Sequence, residues 1–282
     1  MRLMRARSAG FCFGVKRAME IALDAAKRYP PPLYTLGPLI HNPQTVEYLE
    51  GFGIEVKSRV EQIKKGTVIL RSHGVSLKEL EKAKKRGLRI VDATCPIVKR
   101  AHFFAKFLRR RGYDLLIVGD ADHPEVEAIR SYLEGEVKVI EEPDLLSRLG
   151  PWKKLGIIAQ TTQSQERLKE VVSACLHKAK EVRVFNTICK ATTVRQQEAV
   201  EIAKKVDCMI VVGGYNSGNT QRLAEICRNV QPETHHIEIA RELSPKWFVN
   251  RERIGLTAGA STPSWIIQEV EQEIRRIKGR RS

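Results

Sequence analysis

The sequence predicts an α/β fold, a pseudo-threefold trefoil of three small parallel-sheet units about one axis, and three observations predict it. Three cysteines, Cys12, Cys95 and Cys189, each open a helix with an apolar period: GVKRAMEIALDAAK, PIVKRAHFFAKFLRR and KATTVRQQEAVEIAKK. Each helix is followed by the same succession of apolar strand, polar loop and second helix. A strand-like segment at the N-terminus, RLMRARSAGFC, has no partner in its own repeat, whereas the last repeat lacks a final strand.

The elements fall into register. The strands LYTLGPLIHNP, YDLLIVGDADHPEV and DCMIVVGGYNSGNTQRL run into polar loops, and His41 follows Cys12 by 29 residues, His123 follows Cys95 by 28 and Ser217 follows Cys189 by 28. Pro43 and Pro124 stand where a first helical turn accepts proline, so these loops end at helix N-termini. A short strand follows in each case (GIEV, EVKVI, HHIEI), then another strand with a second polar loop and helix, TVILRSHGVS, KLGIIAQTTQS and RIGLTAGASTPS. That second loop carries His73, then Thr161 and Thr162, then Ser261. The strands LRIVDATC and VRVFNTIC deliver the chain to the next cysteine, and the third repeat ends in a helix over 263–278. The expected units are 13–95, 96–188 and 189–282, the last completed by 1–12, so that the ring closes. Alternating strands and helices imply parallel sheets, and ligands of such sheets gather outside the carboxyl ends of the strands, where the cysteines and polar loops sit.

Composition narrows the function. With 282 residues, 42% of them hydrophobic, the chain can bury substantial cores. It has no run of eighteen or more apolar residues, and MRLMRARSAGFCFGV has neither a long apolar stretch nor a small-residue cleavage site, so a soluble, unprocessed, cytoplasmic protein is expected. Six cysteines are too sparse for a disulfide scaffold. A net charge of +16 favours anionic partners, although much of the excess lies in short runs, Lys82 to Arg89, Arg109 to Arg111 and the KGRRS tail, that read equally as solvated helix ends.

Three cysteines reaching one axis by equivalent routes form a tripod of soft thiolates, suited to an iron–sulfur cluster rather than to calcium or magnesium. Three ligands leave one iron of a four-iron cluster open to a substrate oxygen, by the logic of an open catalytic metal position; a structural zinc site would prefer a fourth ligand. Cys175, Cys208 and Cys227 lie on apolar faces of a helix, a strand and a helix and read as buried hydrophobes. Around the tripod the loops offer His41, His73 and His123, the hydroxyls of Thr161, Thr162, Ser217 and Ser261, the amide of Asn219 and helix N-terminal N–H groups, a donor set that matches a diphosphate. Glu125 is the one carboxylate placed among them and the proton source such a site needs, beside its plainer reading as a helix-starting residue.

Taken together, GFCFGVKRA, LGPLIHNPQ, RSHGV, DATCP, HPEV, AQTTQS, TICKAT, NSGNTQRL and TAGASTP, in this order from about Gly10 to Pro263, closely resemble the LytB family of 4-hydroxy-3-methylbut-2-enyl diphosphate reductases. The resemblance implies a three-domain trefoil around an oxygen-sensitive 4Fe–4S cluster on Cys12, Cys95 and Cys189. It implies a small allylic diphosphate substrate whose hydroxyl approaches the fourth iron and whose diphosphate is held by His41, His73, His123, Ser217, Asn219 and Ser261. Thr161 and Glu125 match the family's positions for orienting the hydroxyl and supplying protons, and the products would be isopentenyl and dimethylallyl diphosphate. Gly218 stands where family members commonly have a second serine, so a hydroxyl contact is lost while the backbone N–H remains to face a phosphate.

A chain with no flavin or nicotinamide fingerprint must receive electrons from a carrier, and small carriers such as ferredoxin or flavodoxin are typically acidic, which the positive charge would steer. Two rival readings fit less well. Quinolinate synthase is another trefoil with three cysteines, but its dicarboxylate chemistry does not call for these loops. A basic RNA-binding protein would carry a helix-turn-helix, KH or RNP signature, and none is present, so neither nucleic acid nor membrane is an expected partner.

Overall fold

A computed structural model of the chain describes residues 2–142, 144, 146 and 149–279. The first part of the chain forms β1 (Arg2–Arg5), α1 (Phe13–Arg28), β2 (Leu33–Leu36), α2 (Pro43–Glu50), β3 (Ile54–Lys57), β4 (Thr67–Leu70), α3 (Leu77–Lys85) and β5 (Arg89–Asp92). The middle forms α4 (Pro96–Arg110), β6 (Asp114–Val118), α5 (Pro124–Ser131), β7 (Val137–Ile140), β8 (Trp152–Ala159), α6 (Gln165–Cys175) and β9 (Ala179–Val184). The last part forms α7 (Lys190–Ala203), β10 (Cys208–Val212), α8 (Gly218–Val230), β11 (Thr234–Ile237), β12 (Arg253–Ala258) and α9 (Ser264–Gly279).

These strands make three four-stranded parallel sheets with the orders β3-β2-β4-β5, β7-β6-β8-β9 and β11-β10-β12-β1. The connectivity is the same in each, except that β1 takes the place beside β12 that β5 and β9 take beside β4 and β8. The fold is thus α/β with three equivalent parallel sheets. Contacts gather the chain into two compact bodies, a smaller one of Met1–Lys16, Ile40–Glu47 and Lys190–Ser282 and a larger one of Arg17–Leu39 and Tyr48–Cys189.

The larger body holds the first two sheets. Every residue of β4 is buried, as are the last four of β6, because helices cover both faces of a parallel sheet and leave no polar alternation. On one face of the second sheet Leu116, Val118 and Ile157 pack with Leu168 and Val171 of α6, and on the other Leu115, Ile117 and Ile158 pack with Ala101, Ala105 and Leu108 of α4. Close seating of α4 requires Gly156 in β8, where a Cβ would fall 2.9 Å from Leu108.

The smaller body holds the third sheet, in which Cys208, Ile210, Val212, Ile254 and Leu256 pack on Ile267, Val270 and Ile274 of α9. Its other face carries Met209 and Val211 against Ala199 and Ile202 of α7 and Leu223 of α8. Gly255 repeats the role of Gly156: a Cβ there would lie 2.4 Å from the Met209 sulfur and 2.9 Å from Ile202. A cysteine-led helix is therefore seated over a strand glycine in both bodies.

Candidate active site

One hydrogen bond recurs in all three repeats and fixes the candidate ligands. The Cys95 N–H donates to Ser72 O at 2.9 Å, the Cys189 N–H to Thr161 O at 2.9 Å and the Cys12 N–H to Ala260 O at 3.2 Å. In each case the acceptor lies on the second polar loop of the neighbouring strand, so parallel pairing carries on past the sheet edge and delivers the cysteine to a helix start. Lys16 N and Lys99 N return to the carbonyls of Cys12 and Cys95 at 2.9 and 3.0 Å, the first bonds of α1 and α4. All three thiols stand at helix N-termini, where the helix dipole favours an anion.

In the larger body, His73, His123, Glu125 and Thr161 come together. His73 sits in the turn after β4, closed by Arg71 Nε donating to Gly74 O at 2.9 Å, and Gly74 takes a left-handed φ of 83°. Its ring meets that of His123 edge-on with centroids 5.7 Å apart. His123 is the N-cap of α5, with Pro124 at the first helical position, and its Nδ1 accepts from Glu125 N at 3.1 Å. An accepting Nδ1 puts the neutral ring's proton on Nε2, which makes that atom a donor.

Glu125 is 1% exposed, and both its oxygens are used: Thr161 N donates to Oε1 at 2.7 Å and Thr161 Oγ1 to Oε2 at 2.6 Å. Burial pushes its pKa up to about 7, against the two Thr161 hydrogen bonds that pull it down. Thr161 therefore holds Glu125 with its N–H and hydroxyl and Cys189 with its carbonyl. Thr162 accepts from Gln160 Nε2 at 2.9 Å, while Gln160 Oε1 accepts from Asp120 N at 3.0 Å, so Gln160 ties the loop after β8 to the loop after β6. Asp120 and Asp122 correct the expectation of a single carboxylate on these loops. Both are exposed, and only Glu125 is withdrawn from water.

In the smaller body, Ser217 is the N-cap of α8, and Gly218 is the first helical residue. Gly213 and Gly259 let the ends of β10 and β12 close on that first turn, since a Cβ on either would lie 2.9 or 2.0 Å from Thr220 Oγ1. Asn219 is 8% exposed, and its Nδ2 has no hydrogen-bond partner among the described residues, a donor left for a ligand. Ser261 Oγ donates to His41 O at 3.1 Å, which places these two candidate residues side by side.

Two residues here carried no motif signal. Arg195 on α7 is 3% exposed and donates to Gly10 O at 2.8 Å and Ala258 O at 2.5 Å. One turn further along, Glu198 accepts from Arg7 N at 2.8 Å, Ser8 N at 2.9 Å and Ser8 Oγ at 2.5 Å. Burial raises the Glu198 pKa, but these hydrogen bonds outweigh it and hold the carboxyl below its ordinary value. The segment leading to Cys12 is thus fastened to α7 at three residues. The two residues' spacing on a helix starting at Cys189 was the available signal, but a charged pair on a helix ordinarily reads as solvated.

The donor set fits thiolate ligation of a cluster. Cys12, Cys95 and Cys189 are half-buried, whereas Cys175, Cys208 and Cys227 are fully buried, with pKa values pushed up by burial to about 11, 12 and 12. Among the described residues no three His, Cys, Asp or Glu side chains stand close enough to hold one metal ion.

Known proteins bear on the whole chain. The family model described as LytB protein matches residues 3–275. The 4-hydroxy-3-methylbut-2-enyl diphosphate reductase of Geobacter sulfurreducens is 55% identical over 281 residues, covering 100% of this chain and 99% of that one. The enzyme of the same name from Geotalea uraniireducens is 53% identical over 277 residues, 98% of each. Among solved structures, an (E)-4-hydroxy-3-methyl-but-2-enyl diphosphate reductase, titled the terminal enzyme of the non-mevalonate pathway, is 45% identical with a TM-score of 0.71, over 98% of this chain and 100% of that one. The E-1-hydroxy-2-methyl-but-2-enyl-4-diphosphate reductase of Plasmodium falciparum is 26% identical with a TM-score of 0.88, over 100% and 99%. With a family model spanning nearly its full length and relatives sharing more than half its residues, this chain belongs to the LytB protein family.

Proposed function

We propose that this chain removes the hydroxyl of (E)-4-hydroxy-3-methylbut-2-enyl diphosphate reductively, the last step of the non-mevalonate route to isoprenoids. Two electrons and two protons enter; the C–O bond breaks, the oxygen leaves as water, and the second proton ends on an allylic carbon, whose position decides between isopentenyl and dimethylallyl diphosphate. The observation that carries this reading is the double use of Thr161, which hydrogen-bonds a buried carboxyl of pKa about 7 on one side and the Cys189 backbone on the other. A reductive dehydroxylation needs that pairing of an acid with a thiolate-held redox centre.

Cys12, Cys95 and Cys189 would hold a 4Fe–4S cluster, one at each junction between the units 13–95, 96–188 and 189–282 with 1–12, and the cluster would supply single electrons and a Lewis-acidic iron. With a pKa of about 7, Glu125 carries a proton in part near neutral pH; in that form the carboxyl donates to Thr161 Oγ1, and the threonine's own proton can pass to the leaving oxygen. His41, His73, His123 through Nε2–H, Thr162, Ser217, the Gly218 N–H, Asn219 Nδ2 and Ser261 act as donors to the diphosphate, and the α8 N-terminus favours its charge. An acidic one-electron carrier, a ferredoxin or flavodoxin, is the reductant. No described helix is long and apolar enough to cross a membrane, and a reducing cytoplasm suits six free thiols.

Anaerobic reconstitution with iron and sulfide, followed by turnover with reduced methyl viologen, tests the reading. It requires about four irons per chain and release of water with the two isomeric diphosphates. A loaded protein that leaves the allylic diphosphate untouched would contradict it.

A further inference from the structure

Both candidate ligands of the larger body border one exposed aromatic face. α4 starts beside Cys95, and the chain leaving β9 ends at Cys189. Between them Phe104 stacks on Phe185 with centroids 4.2 Å apart, Phe107 meets Phe185 edge-on at 5.8 Å, and Phe103 stacks on Phe107 at 6.4 Å. The inner rings, Phe104 and Phe185, pack on the core of the second sheet, whereas Phe103 is 62% exposed and Val184 37%. Arginines ring the patch. Arg100 lies over Phe104 and donates to Asn186 O at 3.3 Å, Arg183 lies over Phe107 and Phe185, and Arg111 lies over Phe107.

Among the described residues none of these three arginines is ion-paired with a carboxylate. The one that Arg183 influences, Glu181, is engaged by the Tyr113 hydroxyl and by Lys154. Most of the other basic run is spent within the fold: Lys82 pairs with Glu61 and Glu79 at 2.5 and 3.0 Å, Arg86 donates to Ile63 O at 3.1 Å, and Arg89 lies over the Tyr29 ring, which leaves the exposed Lys84 and Lys85 with no aromatic beside them among the described residues. The α4–β9 face therefore combines an exposed aromatic with uncompensated arginines, the composition of an interface centre with a positive rim. Phe103 lies eight residues along α4 from Cys95, about 12 Å, and Phe185 precedes Cys189 by four residues, at most about 14 Å. A redox partner seated there would sit close to both thiols. A second copy of this chain is disfavoured, because a two-fold contact would set arginines against arginines.

We propose that the α4–β9 face, centred on Phe103 with Arg100, Arg111 and Arg183 around it, is the docking surface for an acidic one-electron carrier protein. The proposal rests on the reductase reading above. Docking is steered by charge and sealed by the exposed ring, while substrate and proton chemistry proceed at other residues.

Steady-state turnover of the reconstituted enzyme is measured with reduced acidic ferredoxin and, separately, with reduced methyl viologen, for the parent, Arg111→Glu/Arg183→Glu, Arg111→Met/Arg183→Met, Phe103→Ser and the control Lys84→Glu/Lys85→Glu. The expected result is a fall in kcat/KM for ferredoxin of about tenfold or more in the Glu pair, a smaller fall in the Met pair and Phe103→Ser, and a flatter salt dependence in the two arginine pairs but not in Phe103→Ser. Viologen-driven kcat stays within about twofold throughout, and the control behaves as the parent. Equal loss with both donors, loss confined to the α3 control, or a Phe103→Ser change that shows only as lost self-association in sedimentation would overturn the docking surface. Failure of the parent with viologen would overturn the reductase reading, and the proposal with it.

Discussion

The two sets of cysteines are chemically identical residues with opposite fates. Cys175, Cys208 and Cys227 are fully enclosed by apolar side chains, and burial pushes their thiols to about 11, 12 and 12. Cys12, Cys95 and Cys189 are half-buried at helix N-termini, each with its N–H fixed by a carbonyl of the adjacent loop. What sets the candidate ligands apart is where the backbone stops being sheet and starts being helix, not residue type.

The largest expected effect separates the two sets. Replacing Cys12, Cys95 or Cys189 by Ser should abolish both the visible absorption of the reconstituted cluster and turnover, while Cys175→Ser, Cys208→Ser and Cys227→Ser should keep both. Cluster loss in a Cys208 variant with retention in a Cys95 variant would reverse the assignment.

Glu125→Gln comes next, because it keeps the side chain's size and an acceptor oxygen for the Thr161 N–H but removes the acidic proton. We expect kcat to fall by about a hundredfold or more, with cluster absorption unchanged. The parent's kcat should decline as pH rises through about 7, since only protonated Glu125 donates, and the variant should lose that limb. The same shift has a stability sign. With a folded value near 7 above the ordinary 4.5, the native state binds more protons between those values, so stability is fullest below about 4.5 and falls as pH rises to about 7. Denaturant melts of Glu125→Gln should lack this decline.

A smaller effect probes how Cys12 is placed. Arg195→Met frees Gly10 O and Ala258 O, and Glu198→Gln weakens the hold on Arg7 and Ser8. In metal-free protein, alkylation of Cys12 should accelerate about tenfold in the Met variant, the factor to which about 1.4 kcal/mol corresponds, with Cys95 unchanged. Glu198→Gln should give a lesser change in the same direction. Equal acceleration at both cysteines would mean general loosening instead of a local anchor. The smallest effect on activity belongs to the enclosed thiols, where Cys→Ser should cost about 1–3 kcal/mol of unfolding free energy and leave kcat intact.

The α/β architecture and the cysteine contrast were legible in the sequence because both are periodic: the helix after each cysteine and the strand before each polar loop recur at nearly constant spacing, and β1 was visible as a strand without a partner. His123, Glu125 and Thr161 were legible as loop residues, but not their geometry. That Glu125 is sealed by Thr161 depends on contact between residues 36 apart in the chain. Arg195 and Glu198 were illegible for a related reason, since their acceptors and donors lie 185 and 191 residues away, and a charge on a helix gives no local sign of being buried. The basic runs were legible only as charge. The fold neutralises Lys82 and stacks Arg111 on an aromatic, a difference no count of positive residues contains.

If the three loop thiols, and not the three enclosed ones, hold the cluster, loading must protect them from alkylation, and anaerobic thiol footprinting reads that protection residue by residue. Metal-free and iron–sulfide-loaded protein are treated briefly with iodoacetamide and the labelled peptides are quantified by mass spectrometry. Cys12, Cys95 and Cys189 should be alkylated in the metal-free protein and protected together on loading, with Cys175, Cys208 and Cys227 unlabelled in both states. Continued labelling of any of the first three in the fully loaded protein, or protection that appears on loading at Cys175, Cys208 or Cys227, would contradict that assignment.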